Sequence, residues 1–220
     1  MNDVELVVFD LAGTTVKADS QVADAFVAAL AEHGLEATAE QLSAVRGSSK
    51  REAVLSFVPD GPERERIGAA VYLSFRRHLA HSYRVGGVEA IDGAEAVFRW
   101  LRERGVRVAL NTGFDREITD LLLTALSWKE GFVDALVCGD DVRQGRPAPY
   151  LIFRAMEATG ACSPRRVVNV GDTTLDLEAG DNACVGWNVG VLTGAHERER
   201  LSRAPHTHLL ESVAALPSLF

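Results

Sequence analysis

The chain has 220 residues, of which 47% are hydrophobic, and this size fits one sizeable domain or a core with a smaller insert. Its 31 acidic and 23 basic side chains give a formal net charge of -8. That charge argues against a general nucleic-acid or membrane-surface binder, because both partners are anionic and would repel the protein. A local pocket can still be positive, so anionic small molecules stay open as ligands.

The chain carries three cysteines without a short spacing between them, at Cys138, Cys162 and Cys184. An odd number without a C-x-x-C pair fits neither a disulfide framework nor a zinc knuckle, so we expect reduced thiols. The acidic residues Asp3 and Glu5 lead directly into an apolar run. We therefore expect no signal peptide and no membrane anchor, and we predict a cytoplasmic location.

Five short apolar runs, rich in β-branched residues, predict strands, and the first four end in polar or glycine-containing loops. In chain order they cover residues 4–9, 106–110, 135–137, 167–170 and 189–192. Helical stretches lie between them at 94–104, 117–126 and 149–159. This alternation predicts an α/β fold with a doubly wound parallel sheet, in which ligands bind beyond the carboxyl ends of the strands.

Residues 20–84 interrupt this alternation. Val22, Phe26 and Leu30 recur at helical spacing over residues 21–33, and the stretches 39–45 and 69–79 also predict helices. We therefore predict an α-helical cap at 18–85, inserted into an α/β core that consists of 1–17 and 86–220.

Two predicted strands end in residues that suit phosphoryl chemistry. Asp10 ends the first strand and is followed by small residues that include Gly13. An aspartate there is either a covalent nucleophile towards phosphorus or a turn former. Asn111, Thr112 and Gly113 follow the second strand, where a hydroxyl and backbone N–H groups suit a phosphoryl oxygen. The alternative for these three residues is a helix N-cap followed by a turn.

Charged residues follow further along the chain. Arg146 lies in a proline-rich loop, where its guanidinium either bridges a phosphoryl group and an attacking carboxylate or is simply exposed. Asp172 and Asp176 lie four residues apart, on one face of the first turn of a predicted helix. Mg²⁺ prefers one or two carboxylates plus water, so Asp172 with Asp10 predicts a magnesium site that Asp176 supports. Helix capping explains one of these acids but not the cluster.

Taken in this order, the chain resembles the haloacid dehalogenase superfamily over nearly its whole length. Its four motifs are matched here by Asp10, Thr112, Arg146 and Asp172 with Asp176. The resemblance implies a Rossmann-like core and an aspartyl-enzyme intermediate that forms on Asp10 and is then hydrolysed. It also implies Mg²⁺ held by Asp10, Asp172 and the backbone carbonyl of Ala12.

Ala12 departs from the pattern of the phosphatases in this superfamily. Those enzymes carry a second aspartate at this position as general acid and base, and its loss typically costs about 10²–10⁴-fold in rate. The chain is then either a weak phosphate-monoester phosphatase or an enzyme whose leaving group needs no proton from residue 12. A third alternative is a catalytically silent binding module, which retention of all four motifs disfavours.

The combination of Ala12 with Arg146, where most of the superfamily has lysine, is similar to phosphonoacetaldehyde hydrolases and their phosphonatase-like relatives. That resemblance implies cleavage of a carbon–phosphorus bond in a small 2-oxoalkylphosphonate. It also implies a Schiff base on a cap lysine, which Lys50 matches through the spacing Gly-x-x-Lys from Gly47. Relatives of this type often pair through the cap, so a homodimer is implied as well.

The surroundings of Lys50 agree with this family only in part. Ser49 and Glu52 predict a capping box that opens a helix at Lys50, where the helix dipole favours the neutral amine that attacks carbonyls. The alternative is a solvated lysine on the cap. Arg46 and Ala53 stand where the family has Met and His. We therefore hypothesise a related 2-oxoalkylphosphonate with a further anionic group that pairs with Arg46.

Overall fold

The computed structural model describes residues 4–17, 19–128 and 131–220. The strands among them are β1 Leu6–Asp10, β2 Val16–Lys17, β3 Glu89–Ala90, β4 Arg107–Asn111, β5 Ala135–Val137, β6 Val167–Gly171, β7 Trp187–Val191 and β8 His208–Leu210. The α-helices are α1 Asp19–Glu32, α2 Ala39–Ala44, α3 Lys50–Phe57, α4 Arg64–Gly86, α5 Ala94–Arg102, α6 Arg116–Ala125, α7 Tyr150–Thr159, α8 Thr174–Asn182 and α9 Arg198–Leu201.

Six of the strands form one parallel sheet in the order β5-β4-β1-β6-β7-β8. Strand β1 lies at the centre, and its last residue, Asp10, pairs in register with Asn111 of β4. On the other side, Phe9 of β1 pairs with Val170 of β6. The carboxyl ends of three neighbouring strands therefore lie at one edge. This arrangement confirms the predicted α/β fold with its parallel sheet.

The side chains of β1 alternate between two apolar layers, because successive residues of a strand point to opposite faces. Val7 and Phe9 belong to one buried cluster, and Leu6 and Val8 belong to the other. Both faces of the sheet are consequently covered, as the predicted helices on either side require.

Helices α1 to α4 follow β2 directly and pack mainly on one another. Phe26 of α1 lies with its ring centroid 4.3 Å from that of Phe75 on α4 and 6.3 Å from that of Phe57 on α3. Helix α4 extends well beyond the predicted stretch 69–79 at both ends, since charged residues there hide the apolar periodicity. The division into a core and a cap at 18–85 stays a prediction.

Two features of the fold were not predicted from the sequence. Strands β2 and β3 form a short antiparallel pair, with Val16 opposite Ala90, where the chain enters and leaves the helical segment. Strand β8 adds a sixth member to the sheet. Both involve only two or three residues, which are too few for an alternating pattern. Within the described ranges, no helix combines the length and the apolar character that crossing a bilayer requires.

Candidate active site

The three strand ends bring the predicted polar residues together. Asp10, Asn111, Thr112 and Asp172 are all buried, with at most 6% of any of them exposed. Asp10, Thr112 and Asp172 line a cavity of about 50 Å³ together with residues from the helical segment, whereas Asn111 lies outside this lining and accepts from Arg146. The cavity lining from the sheet side is Asp10, Ala12, Thr112, Gly113, Phe114, Arg146, Asp172, Thr173 and Ala195, and that from the helical segment is Val22, Ala23, Phe26, Leu42, Val45, Arg46, Gly47 and Lys50.

Arg146 connects several parts of this site through its guanidinium group. Its Nη2 donates to Oδ1 of Asp10 at 2.6 Å and to Oδ1 of Asn111 at 2.5 Å. Its Nη1 lies 2.9 Å from Oδ1 of Asp176 and donates to the carbonyl of Gly47 at 3.2 Å. The planar fork thus fixes the orientation of two carboxylates at once. Arg146 is buried, so the alternative of an exposed surface arginine is wrong.

The pKa of Asp10 is raised to about 7, chiefly because burial penalises the charged carboxylate. The charge of Arg146 acts in the opposite direction, and the nearby carboxylate of Asp176 raises the pKa further. The positive charge of Lys50 also lowers it, so this lysine acts electrostatically on Asp10. An additional cation at the site would favour the ionised form, which is the form that can act as a nucleophile.

The carboxylates of Asp10, Asp172 and Asp176 offer oxygen atoms that lie within 4.8 Å of one another. Asp172 is oriented by two bonds, because Oδ1 accepts from Oγ1 of Thr14 at 2.9 Å and Oδ2 accepts from the N–H of Ala195 at 2.7 Å. Hard oxygen donors at these distances suit a divalent cation such as Mg²⁺. The donor set therefore fits the predicted metal.

Asp176 has a different environment from the other two carboxylates. Its Oδ2 accepts from the N–H of Thr173 at 3.0 Å and from the Thr173 hydroxyl at 2.5 Å, which completes a capping box at the start of α8. Its Oδ1 pairs with Arg146. These bonds orient Arg146, and the supporting role of Asp176 at the magnesium site stays a prediction.

Gly13 and Ala12 shape the space beside the carboxylates. Gly13 has a φ of 90°, and a Cβ atom there would lie 2.5 Å from Oδ2 of Asp172, so a glycine is required for two reasons. Ala12 lines the cavity with a methyl group. A methyl group cannot exchange a proton with a leaving group, so residue 12 offers no general acid.

The loop after β4 lies directly against the helical segment. Thr112 is buried, and its Oγ1 accepts from the N–H of Phe114 at 3.2 Å. The carbonyl of Gly113 accepts from the N–H of Lys50 at 3.1 Å, and a Cβ on Gly113 would lie 2.4 Å from the Ser48 carbonyl oxygen. The glycine therefore permits the close approach that brings Lys50 to the cavity.

Lys50 is the first residue of α3 and is 8% exposed. Its Nζ donates to the carbonyl of Ser48 at 3.2 Å and lies 5.2 Å from the ring centroid of Phe114. The alternative of a solvated surface lysine is therefore wrong. The predicted capping box is also wrong, because the Ser49 side chain makes no capping hydrogen bond. The carbonyl of Gly113 accepts from the N–H of Lys50, so the core contributes a hydrogen bond to this end of the helix.

His196 is a residue of this region that the sequence did not single out. It is 3% exposed, and its Nδ1 accepts from the N–H of Thr174 at 3.0 Å. Burial lowers its pKa to about 4, and the charges of Arg200 and Arg46 act in the same direction. Arg200 also donates to Oγ of Ser43 at 2.8 Å, which joins α9 to α2. A histidine followed by a charged run gave no reason to expect burial.

Asp115 forms a second connection between the core and the helical segment. Its Oδ1 accepts from the N–H of Ile118 at 2.9 Å and so caps α6. Its Oδ2 accepts from the Tyr72 hydroxyl at 2.7 Å and lies 3.2 Å from Nε of Arg76, and both of these residues belong to α4. One carboxylate therefore holds α4 against the loop that carries Thr112.

Comparison with known proteins agrees with this geometry. The family model of the haloacid dehalogenase-like hydrolases matches residues 4–183. A crystallised hydrolase from Pseudomonas syringae shares the fold with a TM-score of 0.87 at 21% identity, over 98% of this chain and 97% of that one. The chain belongs to the haloacid dehalogenase-like hydrolases.

Within that class, the chain is similar to proteins named phosphonoacetaldehyde hydrolase. The one from Parabacteroides distasonis is 32% identical over an alignment of 171 residues, which covers 67% of this chain and 64% of that protein, slightly less than two thirds of its length. The one from Bacillus cereus is 31% identical over an alignment of 207 residues, which covers 88% of this chain and 78% of that protein.

Proposed function

We propose that this hydrolase cleaves the carbon–phosphorus bond of a 2-oxoalkylphosphonate, with Asp10 as the nucleophile and Lys50 as the amine that activates the substrate. The observation that carries the proposal is the burial of Lys50 in the cavity that Asp10 and Ala12 also line. Because Lys50 and Asp10 line the same cavity, one bound substrate molecule can contact both side chains. The similarity to phosphonoacetaldehyde hydrolases supports the same reaction.

The reaction begins with the amine of Lys50. The neutral amine adds to the oxo carbon of the substrate, and loss of water with uptake of one proton from solvent gives a protonated imine. A carboxylate oxygen of Asp10 then attacks phosphorus, and the electron pair of the carbon–phosphorus bond passes into the imine to form an enamine. Because carbon leaves instead of an alkoxide oxygen, no acid is needed at residue 12.

The second half of the reaction restores the enzyme. Water hydrolyses the aspartyl phosphate, which releases inorganic phosphate and the carboxylate of Asp10. The enamine takes a proton on carbon, and a second water molecule hydrolyses the resulting imine to the carbonyl product and free Lys50. Two water molecules are consumed and one is released, so the overall reaction consumes one water molecule per substrate, as a hydrolysis requires.

Core residues would hold the phosphoryl group during these steps. Arg146 neutralises charge on the phosphoryl oxygens, while Thr112 offers a hydroxyl and Gly113 a backbone N–H at the strand end, and Asn111 acts through its bond to Arg146. Bound Mg²⁺, held by Asp10, Asp172 and the carbonyl of Ala12, would supply Lewis-acid stabilisation of the phosphoryl oxygens. Asp176 would keep Arg146 in place.

The second candidate is a phosphate-monoester phosphatase that uses the same core residues. It shares the nucleophile and the metal site, but its alkoxide leaving group requires a proton that Ala12 cannot give. The carbon–phosphorus reaction removes this difficulty, which is why we favour it. A cytoplasmic location and a homodimer that pairs through the cap complete the proposal, and both rest on the sequence and its resemblance alone.

The test measures phosphate release with Mg²⁺ from phosphonoacetaldehyde, from 2-oxopropylphosphonate and from a panel of phosphate monoesters. We expect release from at least one oxoalkylphosphonate, and we expect Lys50→Arg to reduce it by roughly 10²–10⁴-fold, the range for loss of a positioned catalytic group. Arginine keeps the positive charge but forms no imine. Lys17→Arg, a matched change at an exposed lysine paired with Glu89, should have no effect. Release from monoesters alone, unaffected by Lys50→Arg, would establish the phosphatase instead.

A further inference from the structure

The cap supplies two cations to the cavity lining in the described part of the chain, Arg46 and Lys50. They act on different parts of the site. The charge of Lys50 acts on Asp10, and its Nζ lies by the ring of Phe114, on the side of β4. The charge of Arg46 acts on His196, which is bonded to the start of α8, on the side of β6. A substrate whose oxo carbon is bound to Lys50 would therefore contact Arg46 with a different group.

The backbone next to Arg46 is anchored to the catalytic core. The carbonyl of Gly47 accepts from Nη1 of Arg146, the side chain that also contacts Asp10. Gly47 has a φ of 85°, and a Cβ there would lie 2.4 Å from Oγ1 of Thr173. Only glycine permits this turn at this distance. The position of Arg46 is therefore set by contacts with the residues that handle the phosphoryl group.

The wall around Arg46 is otherwise mostly apolar. Val22, Phe26, Leu42 and Val45 line the same cavity from the cap side. Charge pairing is stronger in such surroundings than in water, and a guanidinium fork matches a carboxylate with two parallel hydrogen bonds. A cation in this wall can therefore discriminate strongly between a carboxylate and a group of similar size without charge.

We propose that Arg46 binds a carboxylate attached to the oxo carbon of the substrate, so that the preferred substrate is a 2-oxoalkylphosphonate that is also a 2-oxo acid. This inference rests on the proposed function and makes its substrate class specific. The cavity of about 50 Å³ has room for only a few water molecules, which favours a compact substituent over a long chain.

The substrate carboxylate and its pairing with Arg46 also affect the imine as an electron sink. A carboxylate next to the oxo carbon donates electron density and would weaken the imine as an electron sink. Pairing with Arg46 offsets that density, so the electron pair of the carbon–phosphorus bond can still pass into the imine. Hydrolysis then releases phosphate and a 2-oxo acid, and a reaction that forms a carbon–phosphorus bond to such an acid must supply the substrate.

The experiment compares 3-phosphonopyruvate with 2-oxopropylphosphonate, which carries a methyl group in place of the carboxylate. The quantity measured is the ratio of the two kcat/KM values. We expect the wild-type ratio to favour the carboxylate, and we expect Arg46→Met to lower the ratio by at least about 30-fold, the lower end for breaking a buried charge pair. Arg46→Lys should restore part of the ratio, because it keeps the charge without the fork.

Arg51→Met is the matched control, since Arg51 is an exposed cation next to Lys50 and does not line this cavity. Its ratio should equal that of the wild type. An unchanged ratio in Arg46→Met, or a wild-type preference for the methyl ketone, would overturn the assignment of Arg46 while Lys50-dependent cleavage of either phosphonate stands. Failure of both phosphonates to release phosphate would overturn the proposed function, and the substrate assignment with it.

Discussion

The cavity has two ends that differ in their contacts. Residues of the sheet strands and their loops form the core end, and residues of the helical segment form the cap end. At the core end, charged side chains are held in networks: Arg146 reaches Asp10, Asn111 and Asp176, and Asp172 accepts from Thr14 and from a backbone N–H. At the cap end, Nζ of Lys50 donates to the carbonyl of Ser48 and faces the ring of Phe114, and the lining there combines Lys50 and Arg46 with apolar side chains.

This difference suits the two ends of the cavity to different parts of the substrate. Preorganised charges at the core end suit the phosphoryl group, whose charge changes during the reaction and is best met by groups that need not move. Most of the lining side chains at the cap end are apolar, so single substitutions there can change which carbon group is accepted. Phosphoryl transfer should therefore depend on the core, and the choice of bond and substrate should depend on the cap and on residue 12.

The largest effect is expected at the core end, for Asp10→Asn. Removing the nucleophile should abolish release of phosphate from every substrate, with a loss on the order of 10⁶-fold, as for other covalent nucleophiles. Phosphate release and mass spectrometry for a phosphorylated protein are the measurements. Asp24→Asn, at an exposed position of α1, is the control. Residual turnover in Asp10→Asn near the wild-type rate would mean that the core end does not carry the chemistry.

A gain of activity should follow from Ala12→Asp. A carboxyl group at residue 12 supplies the proton that an alkoxide leaving group needs, so hydrolysis of phosphate monoesters should rise by about 10²-fold or more. Ala12→Asn has nearly the same size but transfers no proton, and it should produce no gain. Equal rates in the two variants would show that residue 12 does not separate the two reactions.

A smaller effect is expected at the contact between α4 and the loop that follows β4. Tyr72→Phe removes the hydrogen bond to Asp115 at 2.7 Å, which holds α4 against the core. Loss of one hydrogen bond shifts an equilibrium by about 2- to 10-fold, so kcat/KM should fall by that factor while the unfolding transition barely moves. Amide hydrogen exchange in α4 should rise in parallel. Tyr150→Phe, at an exposed position of α7, serves as the control, and equal effects of both changes would contradict a specific role for this contact.

The smallest effect concerns stability. His196 has a pKa lowered to about 4 in the folded protein, so between about pH 6.5 and pH 4 the unfolded chain binds a proton that the folded one does not. Its contribution to the unfolding free energy therefore falls by about 1–2 kcal/mol as the pH drops from 7.5 to 5.

His196→Gln keeps an acceptor for the N–H of Thr174 and should lose less stability on acidification than the wild type. Denaturant unfolding at about pH 7.5 and about pH 5 measures the difference. His81→Gln, at an exposed site, should behave like the wild type. If His196→Gln lost as much stability on acidification as the wild type, a group other than His196 would be responsible for that loss.

The core end could be predicted from sequence because parallel strands place their carboxyl ends at one edge. Asp10 and Asp172 each follow a buried run, so their convergence required no knowledge of side-chain contacts. The cap end could not be predicted in the same way. The contact of Asp115 with Tyr72 joins segments that are distant in sequence, and so does the hydrogen bond from the N–H of Lys50 to the carbonyl of Gly113.

The most direct test of the account is covalent trapping on Lys50. The protein is incubated with Mg²⁺ and an oxoalkylphosphonate, sodium borohydride is added, and intact and peptide masses are read. The account predicts a substrate-dependent reduced adduct on Lys50 that is absent from Lys50→Arg. Phosphate release from the same substrate without any adduct on Lys50 would contradict a Schiff-base role for this residue.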